Sequence, residues 1–494
     1  MGDAKNSYRQ VMKATSLFGG VQVVTIIITI IRSKVIALLI GPTGMGIAGL
    51  LNTSLRLLSG VTSLGLPRSG VKDISFANGK EVPEDVSRTV AILRKLVWAT
   101  AALGAVVMLV TSPWLSEQAF GDRSYTVSFV WISIALFFTQ LSNGQLAVLQ
   151  GLRKLNSLAK ANVLGSVFGL LLTIPLYYFL GVEGIVPAIV ISAILSFGFT
   201  FYYIQKAQLE SVPVSFSEAM TEGKSMIYRG LTLSISSIVT LLVAYILQVY
   251  ISATGGMVEV GYYSAAIVIL NTYVGVIFTA MATDYFPRLS AVADIIENVR
   301  NLVFEQAFIA VLLITPIIVV FLALAPFIIE LLYSSKFNDI VPLVRWGILG
   351  MLFKAVSWSM GYVIIAKGDS KVFIKTAIGF SSVLLASNIL GYYYGGLEGL
   401  GISFLCYYIF HFIVIHIILK FRYGFYFYKG FYPVFLMCIG WCIGAFLLTF
   451  MPEGWQKYLG MFLLIAASSW FTFYQLDKKM DIKALFAKIF RRKK

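Results

Sequence analysis

Apolar stretches of about 20 residues recur from one end of this chain to the other, separated by short polar connections. Fourteen can be marked, at about 11–40, 45–72, 89–110, 126–150, 157–180, 184–205, 225–253, 260–284, 302–329, 342–366, 372–394, 399–419, 431–450 and 458–476. About 20 apolar residues in a helix cross the hydrocarbon core of a bilayer. In lipid the backbone must satisfy its own hydrogen bonds, so such stretches are helical. A membrane β-barrel would show short alternating segments instead. The expected class is an all-α polytopic membrane protein of about fourteen spans.

The polar residues between the stretches set the orientation. Of the 39 lysines and arginines, 31 fall in the two tails and the even-to-odd connections when the N-terminus is cytoplasmic. Four lie on the opposite side: Arg123, Lys336, Arg345 and Lys457. That split follows the positive-inside rule, and one missed span would scramble it. Both termini are therefore expected in the cytoplasm. The net charge of +16 belongs to a membrane face and calls for no nucleic-acid partner. Lys5, Arg9 and Lys13 precede an apolar run too long for a signal peptide, so the first stretch is expected to stay.

The chain repeats itself at an offset of about 215–220 residues. Tyr177 to Gly184, between spans 5 and 6, matches Tyr392 to Gly399, between spans 11 and 12. Leu51-Asn52-Thr53 with Pro67-Arg68 matches Leu270-Asn271-Thr272 with Pro287-Arg288. Six helices separate the copies, so the halves are expected to be parallel repeats. The expected organisation is an N-lobe over 1–206, a cytoplasmic linker over 207–223 and a C-lobe over 224–421. Two further helices, spans 13 and 14, lie over 422–476, and a basic amphipathic tail fills 477–494. In such repeats the substrate site lies near mid-depth, in a central cavity between the lobes.

Four cations sit inside apolar stretches: Arg32, Lys34, Arg56 and Lys354. A charge at the centre of a bilayer helix costs roughly 2.5–3.5 kcal/mol on the lenient insertion scale, so such groups normally face a watery cavity on a substrate path. No acid sits at comparable depth, and a cationic cavity asks for an anionic substrate. Gln22, Thr25, Thr29 and Arg32 share one face of span 1. Asn52 and Arg56 are one turn apart on span 2. Asn271, the repeat partner of the cavity-lining Asn52, and Tyr273 beside it are candidates for contacts to sugar hydroxyls, and Gln140 and Asn143 line one side of span 4. Lys34 points away from Arg32 and can snorkel.

Other groups carry less. His411 and His416, the only histidines, lie in span 12 and read as packing residues. Asp73 and Asp284 read as helix-end groups paired with Lys72 and Arg288. Gly165 and Gly169 read as close packing. The three cysteines fall inside spans and suggest neither disulfide nor metal site. No catalytic set emerges, and the outer loops are too short for a polysaccharide polymerase or ligase active site. The chain is expected to be a transporter, not an enzyme.

Ile40 to Leu50, with Gly41-Pro42-Thr43-Gly44-Met45-Gly46, following Arg32 and Lys34, resembles the first helical hairpin of the Wzx-type O-antigen flippases. These are polysaccharide transporters of the multidrug/oligosaccharidyl-lipid/polysaccharide exporter superfamily. The likeness extends over spans 1–12. It implies two lobes working by alternating access and a substrate of undecaprenyl diphosphate bearing an oligosaccharide, carried from the cytoplasmic to the periplasmic leaflet of a bacterial inner membrane. The expected diphosphate ligands are then Arg32, Arg56 and Lys354, with Lys34 as a further candidate. The extra helix pair is more like the related peptidoglycan lipid II flippase, which is an alternative reading. A multidrug cation antiporter is another, and would want buried acids. No cofactor is called for, and coupling to an ion or to the membrane potential stays open. Membrane lipids and the polysaccharide polymerase machinery are the expected partners.

Overall fold

The computed structural model describes residues 2–79, 82–210 and 212–480. The basic tail expected at 477–494 lies outside them from residue 481 onward. All regular elements among the described residues are helical. They are α1 (Gly2–Leu39), α2 (Gly41–Thr62), α3 (Leu66–Gly79), α4 (Pro83–Phe120) and α5 (Thr126–Gly151). Then follow α6 (Leu155–Leu180), α7 (Ile185–Gln205), α8 (Phe216–Glu222), α9 (Lys224–Val268) and α10 (Val276–Ala291). The series ends with α11 (Ile296–Leu332), α12 (Val341–Ala366), α13 (Ser370–Tyr423), α14 (Phe431–Leu448) and α15 (Trp455–Met480).

Ten helical stretches among the described residues are long and apolar enough to cross a membrane, so the chain is a multi-pass membrane protein. Three are double. The stretch 155–205 is broken by the 3-10 turn Gly181–Gly184. α9 is broken at Gly256 (φ 78°, ψ −179°). α13 is broken at Gly395 and Gly396, the latter at φ 54°. Dividing these three gives thirteen rods in the order of the expected spans, while α2, at the place of the expected second span, is not among the ten apolar stretches. The breaks at Gly181–Gly184 and Gly395–Gly396 fall at matching positions of the two sequence copies.

One expected span is not a single rod. The apolar pattern runs on from 45 to 72, but the helix stops at Thr62 and restarts at Leu66. Leu64 (φ 51°) and Gly65 (φ 67°) turn the chain between them. Gly65 is required there twice over. Its conformation is one that side chains disfavour, and a Cβ on it would run into the carbonyl oxygen of Gly230. α3 then buries Leu66, Ser69, Gly70, Ile74 and Ala77, at helical spacing, against α4 and α5. It is amphipathic, and its polar residues escape a run that hydropathy alone had joined.

Contacts divide the chain into two compact units, Met1–Ser264 and Ala265–Lys494. The division falls within α9, downstream of the expected linker. In the first unit α6 packs on α1 and α7, and α5 packs on α4 and α7. Gly165 and Gly169 of α6 leave room for Ser196 and Ser192 of α7, so small residues set the approach. Leu66, Ile74, Leu93 and Leu149 form a fully buried centre at one end. The first part of α9 joins this unit. Arg229 on α9 pairs with Asp73 on α3 at 2.7 Å. Asp73 is thus paired across the unit with Arg229, correcting the expected partner Lys72. The arginine can reach because the turn at 63–65 brings α3 and α9 together.

In the second unit α12 is the central rod, packed on α11 and α13. Val344, Ile348, Met351, Val356 and Met360 of α12 are fully buried. α14 and α15 pack on α11. Cys438 and Cys442 are buried on α14, and the three thiols are free. Arg300 ties the foot of α11 to the segment before α14. It is stacked 3.4 Å from the Tyr426 ring centroid, donates to the Tyr426 carbonyl and pairs with Glu297 at 2.8 Å. The expected Asp284–Arg288 pair is present at 3.2 Å.

Candidate functional site

The first unit holds a cavity of about 390 Å³ walled by α2, α4, α5, α9 and the 63–65 turn. Arg56, Ser59 and Gly60 line it from one face of α2, at spacings of 3 and 4 from Arg56, and Ser63, which caps that helix, continues the face at a spacing of 7. Ser234, Ser237, Ile238 and Leu241 reach it from α9 at the same spacings. Thr100, Thr139, Gln140 and Asn143 complete the polar wall, and no Asp or Glu lines it.

Two guanidinium groups share this cavity. Arg56 is exposed to it and makes no hydrogen bond or ion pair with a described residue. Arg68, at the start of α3, donates to the Leu233 carbonyl at 2.7 Å and to the Ser237 hydroxyl at 2.8 Å. Gln140 is 2 % exposed and donates from Nε2 to the Thr62 hydroxyl at 2.6 Å. Its Oε1 is buried without a partner among the described residues. Gly104 makes that arrangement possible, because a Cβ there would crowd both Gln140 and Thr62. The result is a recess with two delocalised cations, hydroxyls and amides on its wall. A guanidinium presents its N–H donors in a fork that matches phosphate oxygens.

The second unit holds a different cationic group, one lysine among an amide and aromatic rings. Lys354 on α12 donates from Nζ to Oδ1 of Asn271 at 2.8 Å. The ammonium also lies 5.2 Å from the Tyr408 ring centroid and 5.9 Å from that of Phe278. Asn271 sits in a π-helical turn, Ile269–Val274, between α9 and α10. Gly275 closes that turn, since a Cβ there would collide with the Asn271 carbonyl. Such π-turns are rare and often occur where a side chain has a task. His411 packs its ring 4.2 Å from Phe380, and His416 stacks among Phe412, Phe425 and Phe427.

The structure brings together Arg56, Gln140 and Asn143 in one unit, and Lys354 and Asn271 in the other. Arg32 is not on the wall of the Arg56 cavity. It is half-buried, Nη2 would lie 3.7 Å from a Cβ on Gly169 of α6, and its Nε has no partner among the described residues. The threonines of its stripe turn inward on their own helix, Thr25 donating to the Val21 carbonyl and Thr29 to that of Thr25. Gln22 is exposed. Asn52 likewise donates to the Ala48 carbonyl of its own helix at 2.7 Å. Lys34 and Tyr273 are both engaged with neighbours.

Sequence reasoning missed Arg68, Ser234 and Ser237. The serines were open to it, because their spacing is helical. Arg68 was not, because the unbroken hydropathy of 45–72 carried it to the cytoplasmic face, whereas the turn at Leu64-Gly65 aims it at the cavity.

A family model described as polysaccharide biosynthesis protein matches residues 35–342. The lipid III flippase of Escherichia coli (strain K12) is 23% identical over 361 residues, which cover 71% of this chain and 84% of that protein. A Shigella flexneri protein named for O-antigen transport is 22% identical over 341 residues, covering 67% and 79%. Among solved structures, the lipid II flippase MurJ in an inward closed conformation aligns with a TM-score of 0.70 at 13% identity, covering 94% of this chain and 99% of that one. An inward-facing MATE family multidrug transporter of the MOP superfamily aligns at 0.69 with 16% identity, covering 81% and 94%. These two likenesses establish the fold. The former takes in more of the chain than the latter.

Proposed function

The chain belongs to the polysaccharide biosynthesis protein family, and we propose that it is a flippase for an oligosaccharide linked to undecaprenyl diphosphate. It carries this lipid from the cytoplasmic to the periplasmic leaflet of a bacterial inner membrane by alternating access, with no covalent step. The carrying observation is the first unit's cavity, where Arg56 and Arg68 stand with no acid on the wall. Its 390 Å³ falls within the range of about 300–1,000 Å³ common for ligand sites.

The diphosphate brings about two negative charges to Arg56 and Arg68. Gln140, Asn143 and the serine hydroxyls give the first sugar a wet surface, and the polyprenyl tail stays in lipid. Lys354 offers the second unit's anion contact, with Asn271 holding its ammonium when no substrate is present. Arg32, half-buried against α6, supports α1 there. A cation-exporting antiporter is disfavoured by the same wall, which offers a cationic drug two like charges and no acid.

The reading as a lipid II flippase shares the diphosphate chemistry and is favoured by the 94% coverage alone. One experiment separates the two. Lipid extracted from the purified protein is identified by mass spectrometry, beside the same extraction from Arg56→Gln. A surface-polysaccharide intermediate, lost in the variant, supports the proposal. A peptidoglycan precursor would replace it with the alternative, and no polyprenyl diphosphate in either sample would overturn both.

A further inference from the structure

A second cleft, of about 210 Å³, opens between α4, α5 and α7. Val97 is the partition between it and the Arg56 cavity, lining both. Gly144 lets Val97 close against α5, since a Cβ on it would lie 2.7 Å from a Val97 methyl. Three polar side chains converge on this cleft from three helices: Arg94, Gln145 and Gln205. Trp98, Phe197 and Phe201 supply its aromatic walls.

The polar groups present donors. Arg94 is exposed and makes no ion pair or hydrogen bond with a described residue. Gln145 already uses Oε1 to accept the Thr200 hydroxyl, so its amide N–H groups are what it has to offer. Gln205 is the last residue of α7 and is exposed. A guanidinium and amide donors around a small recess, without an acid, select an anion about the size of one phosphate.

The surroundings say where that phosphate comes from. Trp98 is 55% exposed and Phe201 46% exposed, on the outer surface of the unit. Arg94 and Trp98 stand one turn apart near the start of the apolar run of α4, and Gln205 ends α7 beside them; tryptophan next to basic residues at such a boundary marks the headgroup level of a bilayer. Lys95 and Lys206 flank the cleft in sequence, and Lys154 beside it donates to the Ala207 carbonyl at 2.6 Å. Basic clusters at this level attract anionic lipids. A free phosphate would have no use for the exposed aromatic wall, whereas the acyl chains of a lipid would lie along it. We propose that the cleft between α4, α5 and α7 is a binding site for the headgroup of an anionic membrane phospholipid. Seated there, the lipid would brace α4 and α5, the two helices that also wall the Arg56 cavity.

The test uses the full-length protein, purified in mild detergent with equal phosphatidylglycerol and phosphatidylcholine. Native mass spectrometry counts retained lipid in the wild type, Arg94→Gln, Arg94→Lys and Gln205→Ala. As a control, Arg123→Gln removes a cation from the connection just beyond the other end of α4. The wild type and the control should retain phosphatidylglycerol in preference. Arg94→Gln should lose at least about fivefold, with Arg94→Lys and Gln205→Ala between. In a thermal-melt arm phosphatidylglycerol, but not inorganic phosphate, should raise the melting temperature of the wild type. If Arg94→Gln does not elute as a folded monodisperse species, Arg94→Lys and Gln205→Ala carry the comparison. Equal retention of phosphatidylcholine, unchanged phosphatidylglycerol in the Arg94 and Gln205 variants, or equal protection by inorganic phosphate would each overturn the proposal.

Discussion

Nζ of Lys354 donates a 2.8 Å hydrogen bond to Oδ1 of Asn271, which a π-turn presents to it from 83 residues away. The asparagine gives the ammonium an acceptor without cancelling its charge, so the cation stays available to an anionic ligand. Lys354→Gln removes a charge-assisted contact of about 1.5–3 kcal/mol, which corresponds to about a ten- to hundredfold loss. Asn271→Asp should match it, because an internal carboxylate would occupy the ammonium. Asn271→Ala should be milder. Surface glycan in cells, corrected for the membrane level of each variant, measures all three. Normal export by both Lys354→Gln and Asn271→Asp would remove Lys354 from the substrate path.

Gly65 and Gly198 make a paired test of the turn that aims Arg68. Gly65→Ala must adopt φ 67° and clears no space from the Gly230 carbonyl. The backbone term alone costs about 1–2 kcal/mol. Gly198, mid-way along α7, has nothing within 4 Å of an added Cβ. Alanine there should be neutral or stabilise by up to about 1 kcal/mol through helix propensity. Thermal melting in detergent reads both. A Gly65→Ala melting point equal to that of the wild type would mean that α3 is not fixed as described.

Much of this architecture was legible because lipid demands long apolar helices, and the repeat was legible because Gly181–Gly184 and Gly395–Gly396 still break both copies alike. Arg56 and Gln140 stood out as polar groups in apolar rods. What was hidden depended on single φ angles. Leu64 has no compositional mark of a left-handed residue, so hydropathy hides the break after Thr62, places Arg68 at the cytoplasmic face and pairs Asp73 with its neighbour Lys72 in place of Arg229. The threonine stripe of α1 was legible as a face, but not that Thr25 and Thr29 would satisfy themselves on their own carbonyls. A hydroxyl can bond the preceding turn from any position on a helix, so periodicity cannot separate a cavity wall from a self-satisfied stripe.

Acid should loosen the segment before α9. Ser215 caps α8, its backbone N–H donating to Glu218 at 2.6 Å while its hydroxyl accepts from the Glu218 N–H. Glu222 accepts from Arg88 of α4 at 2.9 Å. The Ser215 backbone bond holds the Glu218 carboxyl below its ordinary 4.5, and the Arg88 hydrogen bond does the same for Glu222. A depressed carboxylate stabilises the folded state fully above its unfolded value and loses that contribution as pH falls through its folded value. Docking of α8 on α4 should therefore be constant above about pH 4.5 and weaken below it. Amide hydrogen exchange over 212–223 should accelerate only in that acid range, and earlier in Arg88→Gln at neutral pH. Faster exchange on raising the pH, after correction for intrinsic rates, would contradict the sign.

The charge split and an expected fourteen spans together predict the topology. Reporter fusions after Lys429 and after Lys494 should both read cytoplasmic, and one at Gly454, in the connection between α14 and α15, should read periplasmic. The Gly454 fusion carries the most information, because it requires α14 to cross although it is only 18 residues long. An 18-residue helix extends about 27 Å at 1.5 Å per residue, which suffices for a thin hydrocarbon core. A cytoplasmic signal at Gly454 would make α14 and α15 a surface hairpin and reduce the crossing count by two.

The sharpest test lies in the Arg56 cavity. Arg56 has no protein partner among the described residues, so replacing it breaks no described contact and its loss reports on the ligand. Arg56→Gln should abolish export of the lipid-linked glycan. Arg56→Glu should be worse, placing a like charge against the diphosphate, and Arg56→Lys should keep partial activity as a point charge. Arg68 differs, because it also holds α9 through the Leu233 carbonyl and Ser237. Ser237→Ala removes only one such bond, about 1.5–3 kcal/mol because its donor is charged, and leaves the guanidinium in the cavity. If Arg68 serves the anion, Ser237→Ala should export within a fewfold of the wild type while Arg68→Gln fails. If it serves only as a clasp, the two variants should fall together, with matching losses of thermal stability. Normal export by a well-inserted Arg56→Gln would end the case for this cavity as the diphosphate site.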